Sequence, residues 1–243
     1  MDRQIYDRMR LIEADHWWFR GRRRILAGLI RDLSLPARAK ILEVGCGTGG
    51  NLAMLARFGE VAGLEPDAES RAYAGEKTGV CVKGGSLPDA LPFAGASFDL
   101  VCAFDVIEHV EADGPALTAL AALLKPGGRL VATVPAYPWM WSRHDELHHH
   151  KRRYRLGGFR RLAEAAGLRV ERASYFNTLL FAPIAGVRLA KLATGSKTAD
   201  DDRIPTAPVN GLLGAVFGSE LAWLRRASLP FGVSILVVAR RPA

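Results

Sequence analysis

The stretch ILEVGCGTGGN, residues 41–51, decides how the rest of the chain is read. Its first half is a short apolar run ending in glycine, the pattern of a strand leaving a core. Residues 51–57 have helical character, so the glycines occupy a strand-to-helix turn, the context that gives a glycine-rich match its meaning. Gly45 and Gly47 let the backbone turn tightly and approach a ligand, while Gly49 or Gly50 permits close helix contact. Glu65, twenty positions after Gly45, ends the next apolar run, where a carboxylate is suitably placed to accept hydrogen bonds from two ribose hydroxyls.

A nucleoside pocket accounts for these features, with an ordinary tight turn as the structural alternative. Gly45, Gly47 and Gly50 also satisfy the GxGxxG spacing literally, which keeps NAD as a rival ligand. Glu43 discriminates between the two. A carboxylate beside the loop repels a pyrophosphate and suits a ligand carrying an ammonium and a sulfonium.

Outward from the loop the pattern alternates. Strands are expected at 40–45, 59–65, 80–84, 98–104 and 128–136, with helices at 67–78 and at 113–124, the latter stopped by KPGG. Nearly uniform apolar strands separated by single helices call for a parallel sheet covered on both faces. Before them, residues 5–33 read as helical. After them come a helix at 156–167, a strand at 168–176, an apolar helix at 177–192 interrupted by Pro183 and Gly186, a helix at 210–226 and a strand at 232–241. The expected organisation is a single domain, 1–243. It comprises an N-terminal helical lid (1–35), a cofactor-binding core (36–175), a helical insertion (176–230) with a linker at 194–209, and a final strand (231–241).

The segment SRHDELHHHKRRY, residues 142–154, directly follows the fifth strand. Loops at the carboxyl ends of parallel strands line the ligand crevice, so this segment belongs to the functional rim. His144 and His109, both on rim loops, are the candidate catalytic bases, since imidazole titrates near neutral pH. Arg153 is a candidate grip for a carboxylate or phosphate, and Tyr154 a cap on the same pocket. Tyr137, Trp18 and Phe19 complete the expected substrate contacts, the last two also suiting a plain packing role in HWWF. As a helical turn, the segment would put His144 and His148 on one face and Glu146 and His150 on another. HDELHHH does not match HExxH, and no metal is expected.

Composition bounds the partners. The 243 residues are 49% hydrophobic and 24% charged, ordinary for a globular chain, with a formal net charge of +8. That bias favours an anionic small molecule, a lipid surface or nucleic acid. Cys46, Cys81 and Cys102, an odd set in apparent core strands, suggest a reduced, cytoplasmic location, including the inner face of a membrane. No signal-peptide-like start and no apolar run of about 18 residues is present.

LEVGCGTGG, the acidic strand end at Glu65, LPF at 91–93, FDLV at 98–101, DVIEHV at 105–110 and LKPGG at 124–128 together resemble a class I S-adenosylmethionine-dependent methyltransferase. The motifs span about residues 40–135. The resemblance implies a three-layer, Rossmann-like α/β fold whose seven-stranded sheet has an antiparallel last strand inserted beside the sixth. It implies S-adenosylmethionine as cofactor and S-adenosylhomocysteine as product. Carried over by position, Glu43 and Gly45, Cys46, Gly47 and Gly49 would surround the methionine part. Glu65 would hold the ribose, Pro66 would lie against the adenine, Ser86 and Leu87 would border it, and Asp105 would lie under the methionyl end. Many relatives carry Asp near the end of the third strand, where this chain has GGSL, so adenine recognition there falls to backbone groups or the Ser86 hydroxyl.

PAYPWMWSRHDELHHHKRRY, with HWWF, is similar to segments of bacterial small-molecule and lipid-glycan-associated methyltransferases. Methyl transfer to oxygen or nitrogen of a small or lipid-linked acceptor is the expected activity. Nucleic acid is not an expected partner, because no RNA-binding module and no D/NPPY motif is present. The apolar segments 177–192 and 210–226 suit a helical cap, a homodimer contact or a peripheral membrane contact. A non-catalytic nucleoside-binding scaffold subunit and an NAD-dependent oxidoreductase are the alternative readings.

Overall fold

A computed structural model describes residues 3–194 and 203–243. The chain begins with α1 (Arg3–Ile12) and α2 (Trp17–Arg31). The alternating part follows as β1 (Lys40–Val44), α3 (Leu52–Leu55), β2 (Glu60–Leu64), α4 (Ala68–Thr78), β3 (Cys81–Lys83), β4 (Phe98–Phe104), α5 (Asp113–Leu123) and β5 (Leu124–Pro135). Next come α6 (Arg143–Leu147), α7 (Leu156–Ala165) and β6 (Arg169–Phe176). The chain closes with α8 (Phe181–Thr194), α9 (Ala207–Ser219), α10 (Leu221–Leu224) and β7 (Ser234–Arg240).

The strands form one sheet in the order β3-β2-β1-β4-β5-β7-β6. β1 to β5 pair in parallel, and β7 lies antiparallel between β5 and β6. This is the seven-stranded arrangement expected from the motifs. Successive strand residues point to opposite faces, and both faces are covered. Leu42, Val44, Val101, Ala103, Leu130 and Ala132 pack under α5 and α7, while Ile41, Leu100, Cys102 and Val131 pack on the opposite side. That second face is covered by Ile25, Leu26, Leu29 and Ile30 of α2, with Phe217 and Leu224 from the insertion. α2 is therefore a layer of the core along most of its length, while α1 and the first turns of α2 lie over the rim.

Several expected boundaries shift for identifiable reasons. The N-terminal helix is two helices, because His16 adopts an extended backbone and its Nδ1 accepts the Trp18 N–H at 3.3 Å, capping α2. Asn210 secures the break: its Oδ1 accepts the Trp17 N–H at 2.8 Å and its Nδ2 donates to the Asp15 carbonyl at 2.9 Å. Pro183 does not interrupt α8, since it sits in the first turn, where backbone N–H groups lack intrahelical acceptors. The helix expected at 210–226 is α9 followed by the short α10. KPGG does not form a loop but a bulged start to β5, whose register with β4 shifts between Phe98 and Leu100. Cys46 and Cys102 are buried, whereas Cys81 is exposed on the edge strand β3, contrary to its expected core position; all three are free thiols. Part of the expected 194–209 linker, residues 195–202, lies outside the described residues.

The insertion is tied to the sheet by Glu220. Its buried carboxylate accepts the backbone N–H groups of Asn177 and Leu179 at 2.7 and 2.8 Å, just past the end of β6. Glu220→Ala strands two donors, so urea unfolding should show a loss of about 3 kcal/mol; an unchanged midpoint would contradict this role.

Candidate active site

The glycine loop leaves β1 with Gly45 at φ 64° and Gly47 at φ 54°, conformations that favour glycine. A Cβ on Gly45 would stand 2.7 Å from Val106, whereas a Cβ on Gly47 would meet nothing within 4 Å. The loop is thus packed on one side and open on the other. Glu65 follows the end of β2 and is buried. Its carboxylate accepts the Gly47 N–H at 2.9 Å, the Asp67 N–H at 3.0 Å and the Tyr6 hydroxyl of α1 at 2.9 Å. α1 is also held by Glu13, which accepts the Thr48 hydroxyl at 2.7 Å and pairs with Lys77.

Glu43 has a different role from the one expected. It is buried beneath the loop and takes the Asn51 amide at 2.7 Å. Burial pushes its carboxyl up to about 8, so it is protonated at neutral pH. It supports the start of α3 and does not line the cavity.

One cavity of about 490 Å³ runs along the carboxyl ends of β1 and β4. It joins Gly45, Cys46 and Gly47 to Asp105, His109, His144 and Arg153, and Trp18 and Phe19 of α2 line it as well. Asp105, at φ 57°, pairs with Arg22, whose guanidinium lies 4.3 Å from the Trp18 ring centre. Leu180 just before α8, Ile184 and Val187 of α8, and Leu213 of α9 add an apolar stretch of wall, next to Arg188 of α8. Glu65, Pro66, Ser86, Leu87 and Gly49 are outside this lining; Glu65 sits behind Gly47 and Tyr6, which do line it. Pro66 and Ser86 are exposed, Leu87 packs against the core, and Gly49 faces Ala74.

The histidine segment is organised by Asp145, which is fully buried. Asp145 closes a capping box with Ser142 at the start of α6. It also accepts from His150 Nδ1 at 2.8 Å and Arg153 Nε at 2.7 Å. Burial alone would raise its carboxyl, but the bonds from His150 and Arg153 outweigh this and hold it well below the usual carboxylate range. Arg153 also donates to the Ala136 carbonyl at 2.9 Å, so it borders the cavity with its guanidinium already engaged. His144 stacks on His148 with ring centres 4.1 Å apart, as their spacing predicts. Glu146 and His150 do not share a face, because α6 ends at Leu147 and the chain turns His150 back to Asp145. Burial holds His144 well below the ordinary imidazole range and His109 at about 3, helped by neighbouring imidazoles, so both are neutral.

Two expected substrate contacts face elsewhere. The Tyr154 hydroxyl donates to Asp113 at 3.0 Å and its ring packs on Phe159, inside the core under α7. Tyr137 stacks on Tyr175 and packs against Phe181, outside the cavity lining. Tyr6, Arg22, Glu108, His150 and Asn177 are rim residues that sequence reasoning missed. Of these, Glu108 and His150 stood within quoted motifs; the others had no local signal.

The comparisons agree with this geometry. A family profile described as a methyltransferase domain matches residues 18–173. The ubiquinone biosynthesis O-methyltransferase of Cereibacter sphaeroides (strain KD131 / KCTC 12085) is 35% identical over 117 residues, covering 45% of this chain and 47% of that protein. The protein of the same name from Nitrobacter winogradskyi is 32% identical over 113 residues, covering 45% and 43%. This chain therefore spans about half the length of the curated relatives it matches. Among solved structures, an S-adenosylmethionine-dependent methyltransferase from Mesorhizobium loti aligns with a TM-score of 0.58 at 19% identity, covering 88% of this chain and 96% of that one. Phosphoethanolamine N-methyltransferase 2 of Haemonchus contortus, solved with S-adenosylmethionine, aligns at 0.59 and 18% identity, covering 90% and 52%. The chain belongs to the methyltransferase-domain family, and it shares the fold of solved S-adenosylmethionine-dependent methyltransferases.

Asp145→Asn leaves the buried Arg153 guanidinium without its counter-charge, which should cost about 3 kcal/mol in denaturant unfolding. A loss below about 1 kcal/mol, the range of an exposed pair, would contradict the central place given to Asp145.

Proposed function

We propose that this chain transfers a methyl group from S-adenosylmethionine to an oxygen of a small or lipid-linked acceptor. The observation that carries the reading is the continuity of one cavity from the loop at Gly45 and Gly47, past Asp105, to His109, His144 and Asn177. Methyl transfer from a sulfonium is an in-line displacement, and its main demands are alignment and exclusion of water. A single cavity shared by donor and acceptor meets both.

The residues present fit the cofactor. Open space at Gly47 admits a ligand against the backbone, and the buried Glu65 carboxylate behind it takes ribose hydroxyls in place of the Tyr6 hydroxyl. When bound, S-adenosylmethionine supplies an electrophilic methyl group. The chain's own groups do the rest. Arg22 and Asp105 form a paired polar wall by the glycine loop. His144, neutral and on the cavity wall, accepts the proton of the acceptor hydroxyl. Asn177 is fully buried, lines the cavity and has neither amide atom hydrogen-bonded, which equips it to orient a polar acceptor group.

Two observations support an acceptor with a hydrocarbon part. The wall formed by α8 and α9 is apolar apart from Arg188. Outside it, Leu212 and Trp223 are 64% and 60% exposed, which suits an approach from a lipid surface. Among the described residues, no helix is long and apolar enough to cross a membrane. Oxygen as the methylated atom is supported by the matched relatives, which are named for O-methylation in ubiquinone biosynthesis.

Calorimetry should register S-adenosylhomocysteine binding, with Glu65→Ala weakening it about 10- to 100-fold through loss of a charged hydrogen-bonding group. Binding of NAD without S-adenosylhomocysteine would refute the reading. Labelled S-adenosylmethionine incubated with a metabolite extract, followed by mass spectrometry, should transfer label to a hydroxyl-bearing product. With that product identified, His144→Ala should lower turnover about 100-fold or more while leaving S-adenosylhomocysteine affinity intact; an unchanged rate would remove His144 from the role of base.

A further inference from the structure

Glu108 is fully buried, yet neither of its carboxylate oxygens has a hydrogen-bond partner. A buried carboxyl left with nothing to bond is costly in either protonation state, so it calls for an occupant. His109, adjacent on the 3-10 turn Ile107–His109, and His150 from the segment after α6 stand close to it, with Asp105, Arg153 and Arg22 near enough to act on its charge. One ligand atom from each of Glu108, His109 and His150 lies within 4.8 Å of the others. All three line the cavity.

We infer that Glu108, His109 and His150 form a binding site for one divalent first-row transition cation of the zinc class, opening onto the acceptor end of the cavity. Tetrahedral ligands at about 2.1 Å from zinc stand about 3.4 Å apart, so the triad closes around a cation with movements of about 1 Å. The two imidazoles are already held as metal ligands are held elsewhere. His150 directs Nδ1 to the buried Asp145 carboxylate at 2.8 Å, which leaves Nε2 for a cation. His109 is fixed by a hydrogen bond to the backbone of His148. The two segments are clamped by the Lys151 N–H, which donates to the Glu108 carbonyl at 2.7 Å. These partners give each imidazole a set orientation before a cation arrives.

Two nitrogens and one carboxylate oxygen favour a borderline cation over magnesium or calcium, which take mostly oxygen. Three protein ligands with an open position toward a cavity is the arrangement of catalytic rather than structural zinc sites. This departs from the expectation of no metal. HDELHHH holds no contiguous HExxH motif; the triad draws two ligands from DVIEHV and one from the histidine run.

On the methyl-transfer reading, on which this part rests, the open position takes the acceptor oxygen and lowers its pKa. The hydroxyl proton passes to His144, the carbon–sulfur bond breaks, and the carbon–oxygen bond forms. The site itself does not require that chemistry.

The test uses the full chain, treated with chelator and titrated with Co2+ as a spectroscopic probe, with Zn2+ as competitor. One equivalent of Co2+ should bind with the visible absorption of a low-coordinate site and be displaced by Zn2+. Glu108→Gln keeps the shape and removes the charge; it, His109→Ala and His150→Ala should each weaken binding about 100-fold or more, while Cys81→Ser and His149→Ala bind as the parent does. S-adenosylhomocysteine binding by the same variants reports that they are folded. Parent-like Co2+ binding by folded ligand variants, or no Co2+ binding by a parent that binds S-adenosylhomocysteine, overturns the site. Co2+ bound at the triad without any S-adenosylhomocysteine binding upholds the site and removes the methyl-transfer reading instead.

Discussion

The histidine-bearing wall of the cavity depends on one buried carboxylate. Asp145 starts α6 by capping Ser142, turns the chain back through His150, and neutralises Arg153, which in turn holds the carbonyl of Ala136 at the end of β5. A carboxylate at this depth is costly to desolvate and is retained only where its bonds compensate. Here those bonds link three consecutive pieces of one loop. They convert a run of charged residues into a fixed wall with His144 and His150 facing the cavity.

The donor side is built differently. Its parts come from the carboxyl ends of β1 and β2 and from helices that cover them. Glu65 is met by the backbone of the glycine loop and by Tyr6 of α1, so the strand-end acid and the covering helix share one contact. α2 then packs on α9 so closely that a Cβ on Gly21 would stand 2.5 Å from Phe217. Asn210 bonds on both sides of the break between α1 and α2. Segments almost 200 residues apart in the chain thereby roof the same cavity (residue separations of 193 and 195). Both are required before the crevice of an open α/β sheet becomes an enclosed space.

Much of this was legible beforehand. Strand periodicity located the sheet, because buried parallel strands are nearly uniform in hydrophobicity, and the resemblance to known methyltransferases supplied the position of β7. The strand-end position of Glu65 placed it beside the glycine loop, and the rim position of His144 followed from its place after β5. Errors arose where a residue's role depends on depth or on a distant partner. Glu43 stands beside the loop in sequence, but in the fold it is buried beneath it with its carboxyl on the Asn51 amide. Tyr154 was read as a cap, although the turn after Arg153 directs it into the core toward Asp113. Asn177 and the meeting of Glu108 with His150 depend on contacts between loops, which no local spacing encodes.

The central claim is that a single cavity serves donor and acceptor, with the sulfur of the cofactor facing the histidine wall. A crystal structure of the full chain with S-adenosylhomocysteine tests it most directly. The account predicts the ribose hydroxyls on Glu65, the backbone of the loop at Gly45 to Gly47 along the ligand, and the sulfur directed toward His109 and His144. A ligand bound outside that cavity, or with its sulfur facing away from the histidines, would contradict it.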